Sequence, residues 1–106
     1  MKSLAQAMLN VSSQLPLSDD AIKRRLDRAY DMVLKQGSGY EFTRAVATEG
    51  GHIYSVHRAS TSLLEDNSAT YIVNEDGCSC PDASKTRAGL CKHRLATMIL
   101  EEMVHE

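Results

Sequence analysis

Two hydrophobic rhythms alternate along the chain. Leu4, Met8, Val11 and Leu15 recur at helical spacing up to Pro16, which predicts a short amphipathic helix. Ser18 then offers an N-cap, with Asp19 and Asp20 in the first turn, where carboxylates complement the helix dipole. Leu17 and Ile22 stand at hydrophobic-staple positions around that cap. Ile22, Leu26, Ala29 and Val33 form one narrow apolar face, so a second helix is expected over Asp19 to Gln36, stopped by Gly37-Ser38-Gly39. From Tyr40 the period shortens to two. Tyr40 to Ala47 and His52 to Arg58 read as strands, separated by Thr48-Glu49-Gly50-Gly51. A polar loop, Ala59 to Ala69, leads into the β-branched and aromatic run Thr70-Tyr71-Ile72-Val73, and Asn74-Glu75-Asp76-Gly77 supplies turn chemistry. The connections are short, so an antiparallel meander is the simplest topology. No internal repeat interrupts it.

Composition narrows the class. A chain of 106 residues, 42% apolar and 25% charged, is ordinary for a soluble globular protein and is expected to form a single domain over 1–106. Within it, 1–36 reads as a helical N-terminal part. There is no tryptophan and one phenylalanine, Phe42, so the core lacks bulk and would gain from a metal. No apolar run approaches the roughly 20 residues of a membrane span. The stretch Met1 to Leu9 is a poor secretion signal, because Gln6 and Asn10 interrupt it.

All three cysteines fall in one short segment beside a histidine: Cys78-Ser79-Cys80, then Cys91-Lys92-His93. Thiolate sulfur and imidazole nitrogen are the donors zinc prefers, and four of them complete a tetrahedron. Two residues apart on a helix, the first pair would diverge by roughly 200°. On a strand both sulfurs share a face, so Cys78 and Cys80 belong on a strand leaving the turn. By the same reasoning Cys91 sits in the turn after Gly89, and His93 in the first turn of a helix beginning near Lys92 and running to Val104. An odd cysteine count disfavours a disulfide framework, and a Cys78–Cys80 bond would be strained. The expected cofactor is one structural Zn²⁺ held by Cys78, Cys80, Cys91 and His93. Four protein ligands leave no coordination position for an activated water. Zinc–thiolate chemistry suits a reducing interior, hence the cytoplasm, or the nucleus of a eukaryote. The fold class expected is therefore α+β: a small antiparallel β-meander with N-terminal helices and a C-terminal ββα-like zinc finger over 40–106. The N-terminal helices contribute no ligand, so on these grounds they would survive metal loss in part.

At these residues the chain resembles the SWIM-type zinc finger, whose pattern is C-x-C, a variable spacer, then C-x-H. Cys78-x-Cys80 and Cys91-x-His93 match it, and the flanks Pro81-Asp82, Leu90 and Leu95-Ala96 are similar as well. The resemblance covers roughly residues 69 to 104. It implies a β-hairpin and a helix around zinc, and a role in binding DNA or other proteins. It carries over no catalytic residue. No paired carboxylates, nucleophile–base set or phosphate-cradling glycine motif stands out elsewhere, so the chain is not expected to be an enzyme.

Charge bears on the partner. Around the zinc loop Lys85, Arg87, Lys92 and Arg94 oppose Asp82, a local charge of +3, whereas Tyr40 to Asp76 is acidic and the whole chain carries −2. The four basic residues are candidate DNA or RNA phosphate contacts. Equally, three thiolates on Zn²⁺ leave a −1 site that the same side chains would balance. Arg24, Arg25 and Arg28 alternate with acids, and the pairs Lys23–Asp27 and Asp31–Lys35 read as a solvated helix face. Of the other histidines, His57 is the best substitute ligand. Two partner classes stay open: nucleic acid at the zinc loop, or a protein docked on the meander and the C-terminal helix, where Met98 and Val104 flank the apolar arc.

Overall fold

A computed structural model describes residues 3–16, 18–36, 39–46, 51–60, 64, 68–74, 77–81 and 90–104. The expected α+β class is observed: three helices and a four-stranded antiparallel sheet. Helix α1 spans Leu4–Ser12 and α2 spans Asp20–Leu34. The strands are β1 (Tyr40–Val46), β2 (His52–Arg58), β3 (Ala69–Asn74) and β4 (Gly77–Cys78), and α3 spans Lys92–Val104. Among the described residues, no helix is long and apolar enough to cross a membrane.

The helix starts follow local capping chemistry. Ser3 caps α1, its hydroxyl accepting from the Gln6 amide at 3.1 Å. The cap of α2 is Asp19, one residue later than the Ser18 that the sequence suggests. Its carboxylate accepts from the amides of Ala21 at 2.9 Å and Ile22 at 3.4 Å. A carboxylate at this position satisfies free amides and also meets the helix dipole, which a serine hydroxyl does only in part. Leu17 and Gly37-Ser38 lie outside the described residues, and so do the expected staple partner and most of the glycine stop. The apolar face Ile22, Leu26, Ala29 and Val33 is buried as expected, joined by Met32. Of the two intrahelical pairs, Asp31–Lys35 forms at 3.0 Å on the exposed side.

The sheet is a meander in the order β1-β2-β3-β4. Tyr40↔Arg58, Phe42↔Val56 and Arg44↔Tyr54 fix the β1–β2 register, and Tyr54↔Val73 and Val56↔Tyr71 fix β2–β3. Phe42, Tyr54, Val56, Tyr71 and Val73 therefore share one face, and Tyr54, Val56 and Val73 are buried in it. The β3–β4 reversal uses Asn74, whose side chain accepts from the Gly77 amide at 3.0 Å. Gly77 has φ 155°, a backbone conformation that L side chains rarely adopt.

Helix α3 organises the interior. Leu95, Ala96 and Ile99 have no exposed surface and join Ala7 and Val11 of α1, Leu26, Ala29 and Met32 of α2, and the inner sheet residues in one cluster. Its polar residues His93, Thr97 and Glu101 are also buried. They recur every four residues, so they form a single stripe along the helix.

Candidate metal centre

The four ligand candidates come from two elements that meet at the end of the sheet. Cys78 closes β4. Ser79 and Cys80 follow in a bend, so only the first cysteine of the pair lies in a strand, a shorter strand than the sequence suggests. The pairing nonetheless continues locally, because the Ser79 amide donates to the Ile72 carbonyl at 3.0 Å and its hydroxyl accepts from the Ile72 amide at 3.0 Å. These two bonds hold the backbone between the cysteines against β3 and let both sulfurs converge.

The second pair straddles the start of α3, as expected. Cys91 takes the N-cap position: its carbonyl accepts from the Leu95 amide at 3.0 Å and its sulfur from the Arg94 amide at 3.4 Å. His93 lies in the first turn, with Nδ1 4.0 Å from the Cys91 sulfur. Tyr71, from the inner face of β3, stacks on the imidazole at 4.6 Å between ring centroids and 40° between planes. That aromatic wall limits how far the His93 ring can turn.

The donor atoms of Cys78, Cys80, Cys91 and His93 all lie within 4.8 Å of one another, and they could hold a metal ion. A tetrahedral zinc with bonds of about 2.3 Å to sulfur puts sulfurs about 3.8 Å apart, so small side-chain rotations would close the shell. Cys80, Cys91 and His93 are buried and Cys78 is half-buried, which shields a site from competing water. All three thiols are free of disulfide bonds.

The thiols of Cys78 and Cys91 are pushed in opposite directions by their shared hydrogen bond. The Cys91 thiol is held below its ordinary range. The Cys78 thiol donates to it, and His93 and the Arg94 amide add hydrogen bonds, together outweighing burial. The same bond to Cys91, with burial, pushes the Cys78 thiol up. The Cys80 amide donates to the Cys78 sulfur at 3.5 Å, a contact that would persist on a thiolate. A helix N-terminus adds positive potential at Cys91.

The basic candidates are less completely placed. Lys92 and Arg94 flank His93 in the first turn of α3 and are half-buried. Lys85 and Arg87 lie outside the described residues. His57 is not near the cluster. It faces the other side of the sheet, with Nδ1 2.8 Å from the Thr70 hydroxyl.

Sequence reasoning missed a second buried polar group. Glu101 on α3 accepts from the Tyr54 hydroxyl at 2.6 Å and from Nε and Nη2 of Arg44, and His52 Nδ1 lies 3.8 Å away. Burial alone would raise the Glu101 carboxyl. The hydrogen bonds of Arg44 and Tyr54 and the nearby His52 overcome it, and the net direction is down. Tyr54 is pushed up, by burial first and then by the Glu101 carboxylate. The available sequence signal was the four-residue repeat His93, Thr97, Glu101 on a helix otherwise apolar over much of its surface.

Comparison with family models, curated proteins and solved structures gave no match to this chain. The metal site therefore rests on the donor chemistry and geometry of the residues themselves.

Proposed function

We propose that the chain is a small SWIM-type module that binds one structural zinc through Cys78, Cys80, Cys91 and His93, and that it acts as an accessory DNA-binding protein. The observation that carries the reading is the convergence of three thiols and an imidazole within 4.8 Å. Thiolate donors select zinc over the hard cations magnesium, calcium and manganese. Four protein ligands make the metal a fold-holding element, and the reading assigns no catalytic step.

Phosphate contact is supported by the +3 charge between Asp82 and Arg94, with Lys92 and Arg94 beside the ligands. The decisive experiment is fluorescence anisotropy of labelled single- and double-stranded DNA at 50 to 200 mM salt. Neutralising Lys85, Arg87, Lys92 and Arg94 should weaken binding and flatten the salt slope by about 0.7 to 0.9 per lost phosphate contact. Absence of any salt-dependent affinity would leave a protein–protein adaptor. The edge of β1 that pairs with no strand among the described residues favours that second reading.

A further inference from the structure

We infer that the free edge of β1 is a docking site for an extended peptide segment of a partner protein, one with a leucine-sized side chain and an acidic residue two positions apart. The site uses none of the metal ligands and does not depend on the nucleic-acid reading.

The backbone comes first. β1 ends the sheet order, so one of its two edges has no neighbouring strand among the described residues beyond a bridge from Gln36 to Tyr40. The Ala59 amide donates to the Gly39 carbonyl at 3.1 Å, which makes Gly39 and Ala59 a hydrogen-bonded pair at the end of the β1–β2 ladder. In an antiparallel ladder such pairs alternate along the strand. Glu41, Thr43 and Ala45 therefore bond toward β2, and Phe42, Arg44 and Val46 aim their N–H and C=O groups at the open edge. An unpaired edge of this kind accepts an additional strand.

The side chains select what that strand carries. Phe42 and Arg44 face the α3 side of the sheet, the same residues whose backbone groups are open. Beneath them the last turns of α3 leave a cavity of about 310 Å³, lined by Phe42, Arg44, Tyr54, Leu100, Met103 and Val104, with Gln36 also on its wall. That volume sits at the lower bound of about 300 Å³ for ligand pockets, and an apolar side chain suits its lining. A strand added about 4.8 Å from β1 would place its inward side chains over this opening, in register with Phe42 and Arg44.

Charge supplies the second requirement. Arg44 is held by Glu101 through Nε and Nη2, yet its side chain is 41% exposed. The remaining guanidinium donors are available to a carboxylate in the cross-strand position, where side chains lie about 5 Å apart. An apolar residue opposite Phe42 and an acidic one opposite Arg44 give the two-residue spacing.

The test uses the zinc-loaded full chain and a blocked, fluorescent heptapeptide of threonines and valines carrying leucine and glutamate two residues apart. We expect one peptide per chain, and at least tenfold weaker binding when the leucine becomes glycine or the glutamate becomes lysine. Val46→Pro removes an outward N–H without touching the β1–β2 ladder. It should weaken binding at least tenfold while leaving the circular dichroism spectrum and melting temperature unchanged. No binding by the intact protein, or binding indifferent to Val46→Pro, would overturn the inference. So would a concentration-dependent dimer abolished by Val46→Pro, which would assign the edge to a second copy of this chain.

Discussion

Replacing Glu101 by alanine should be among the most damaging polar substitutions in the chain. Glu101 lies eight residues beyond His93, about 12 Å along α3, so the change leaves the metal ligands in place. Tyr54 is only 3% exposed, and its hydroxyl would lose its acceptor at 2.6 Å. An orphaned buried hydroxyl costs about 1–3 kcal/mol. The Arg44 pairing adds little, because that side chain is 41% exposed and water screens it. The expected loss is about 1–3 kcal/mol, a sizeable part of the roughly 5–15 kcal/mol that holds a domain together. Tyr54→Phe removes the donor and keeps the Arg44 pairing, so about 1 kcal/mol is expected. The double variant leaves no orphan hydroxyl, and its loss should fall below the sum of the two. Urea unfolding at pH 7 with zinc present measures all three. A Glu101→Ala loss under about 0.5 kcal/mol, or strict additivity with Tyr54→Phe, would refute the reasoning. The pH dependence has a defined sign. The Glu101 carboxyl is held below its ordinary 4.5 in the folded state. Its contribution is therefore complete above that value and disappears as pH falls through the lower folded one. The stability gap between wild type and Glu101→Gln should close as pH falls below 4.5.

Three further outcomes follow from the packing. Chelation, or Cys91→Ser, should unfold the helices and the sheet in one transition followed by far-ultraviolet circular dichroism, because α3 is anchored at the metal and fills the core shared with α1 and α2; survival of the α1 and α2 signal would contradict this. Asp19→Ala should cost about 1 kcal/mol in urea unfolding, and Ser18→Ala much less, since Asp19 makes the cap bonds. Ile99→Ala, at a position with no exposed surface, should cost about 2–5 kcal/mol in the same assay.

Most of the architecture was legible because the signals were local. Periodicity located α1, α2 and β2, and the Cys/His spacing located the start of α3 at Lys92. What escaped the sequence was tertiary. The Ser18 and Asp19 caps differ by one position, and both residue types cap well, so propensity could not choose between them. Cys80 lies in a bend beyond Cys78, where the Ser79 hydroxyl stands in for a backbone acceptor to the Ile72 amide, a side-chain contact that strand periodicity does not encode. Glu101 looks like a surface residue until β1 and β2 bring Arg44 and Tyr54 to it from more than forty residues away. The expectation that the N-terminal helices partly survive metal loss was made without one long-range fact that bears on it: Leu95, Ala96 and Ile99 share a core cluster with residues of both α1 and α2.

The central claim is a metal held by three sulfurs and one nitrogen. Native mass spectrometry joined to X-ray absorption on the purified, reduced protein tests it most directly. The account predicts one zinc per chain, with three sulfur ligands at about 2.3 Å and one nitrogen at about 2.0–2.1 Å, and loss of the nitrogen scatterer in His93→Ala. A reduced, folded protein without stoichiometric metal, or a coordination shell of oxygen alone, would contradict it.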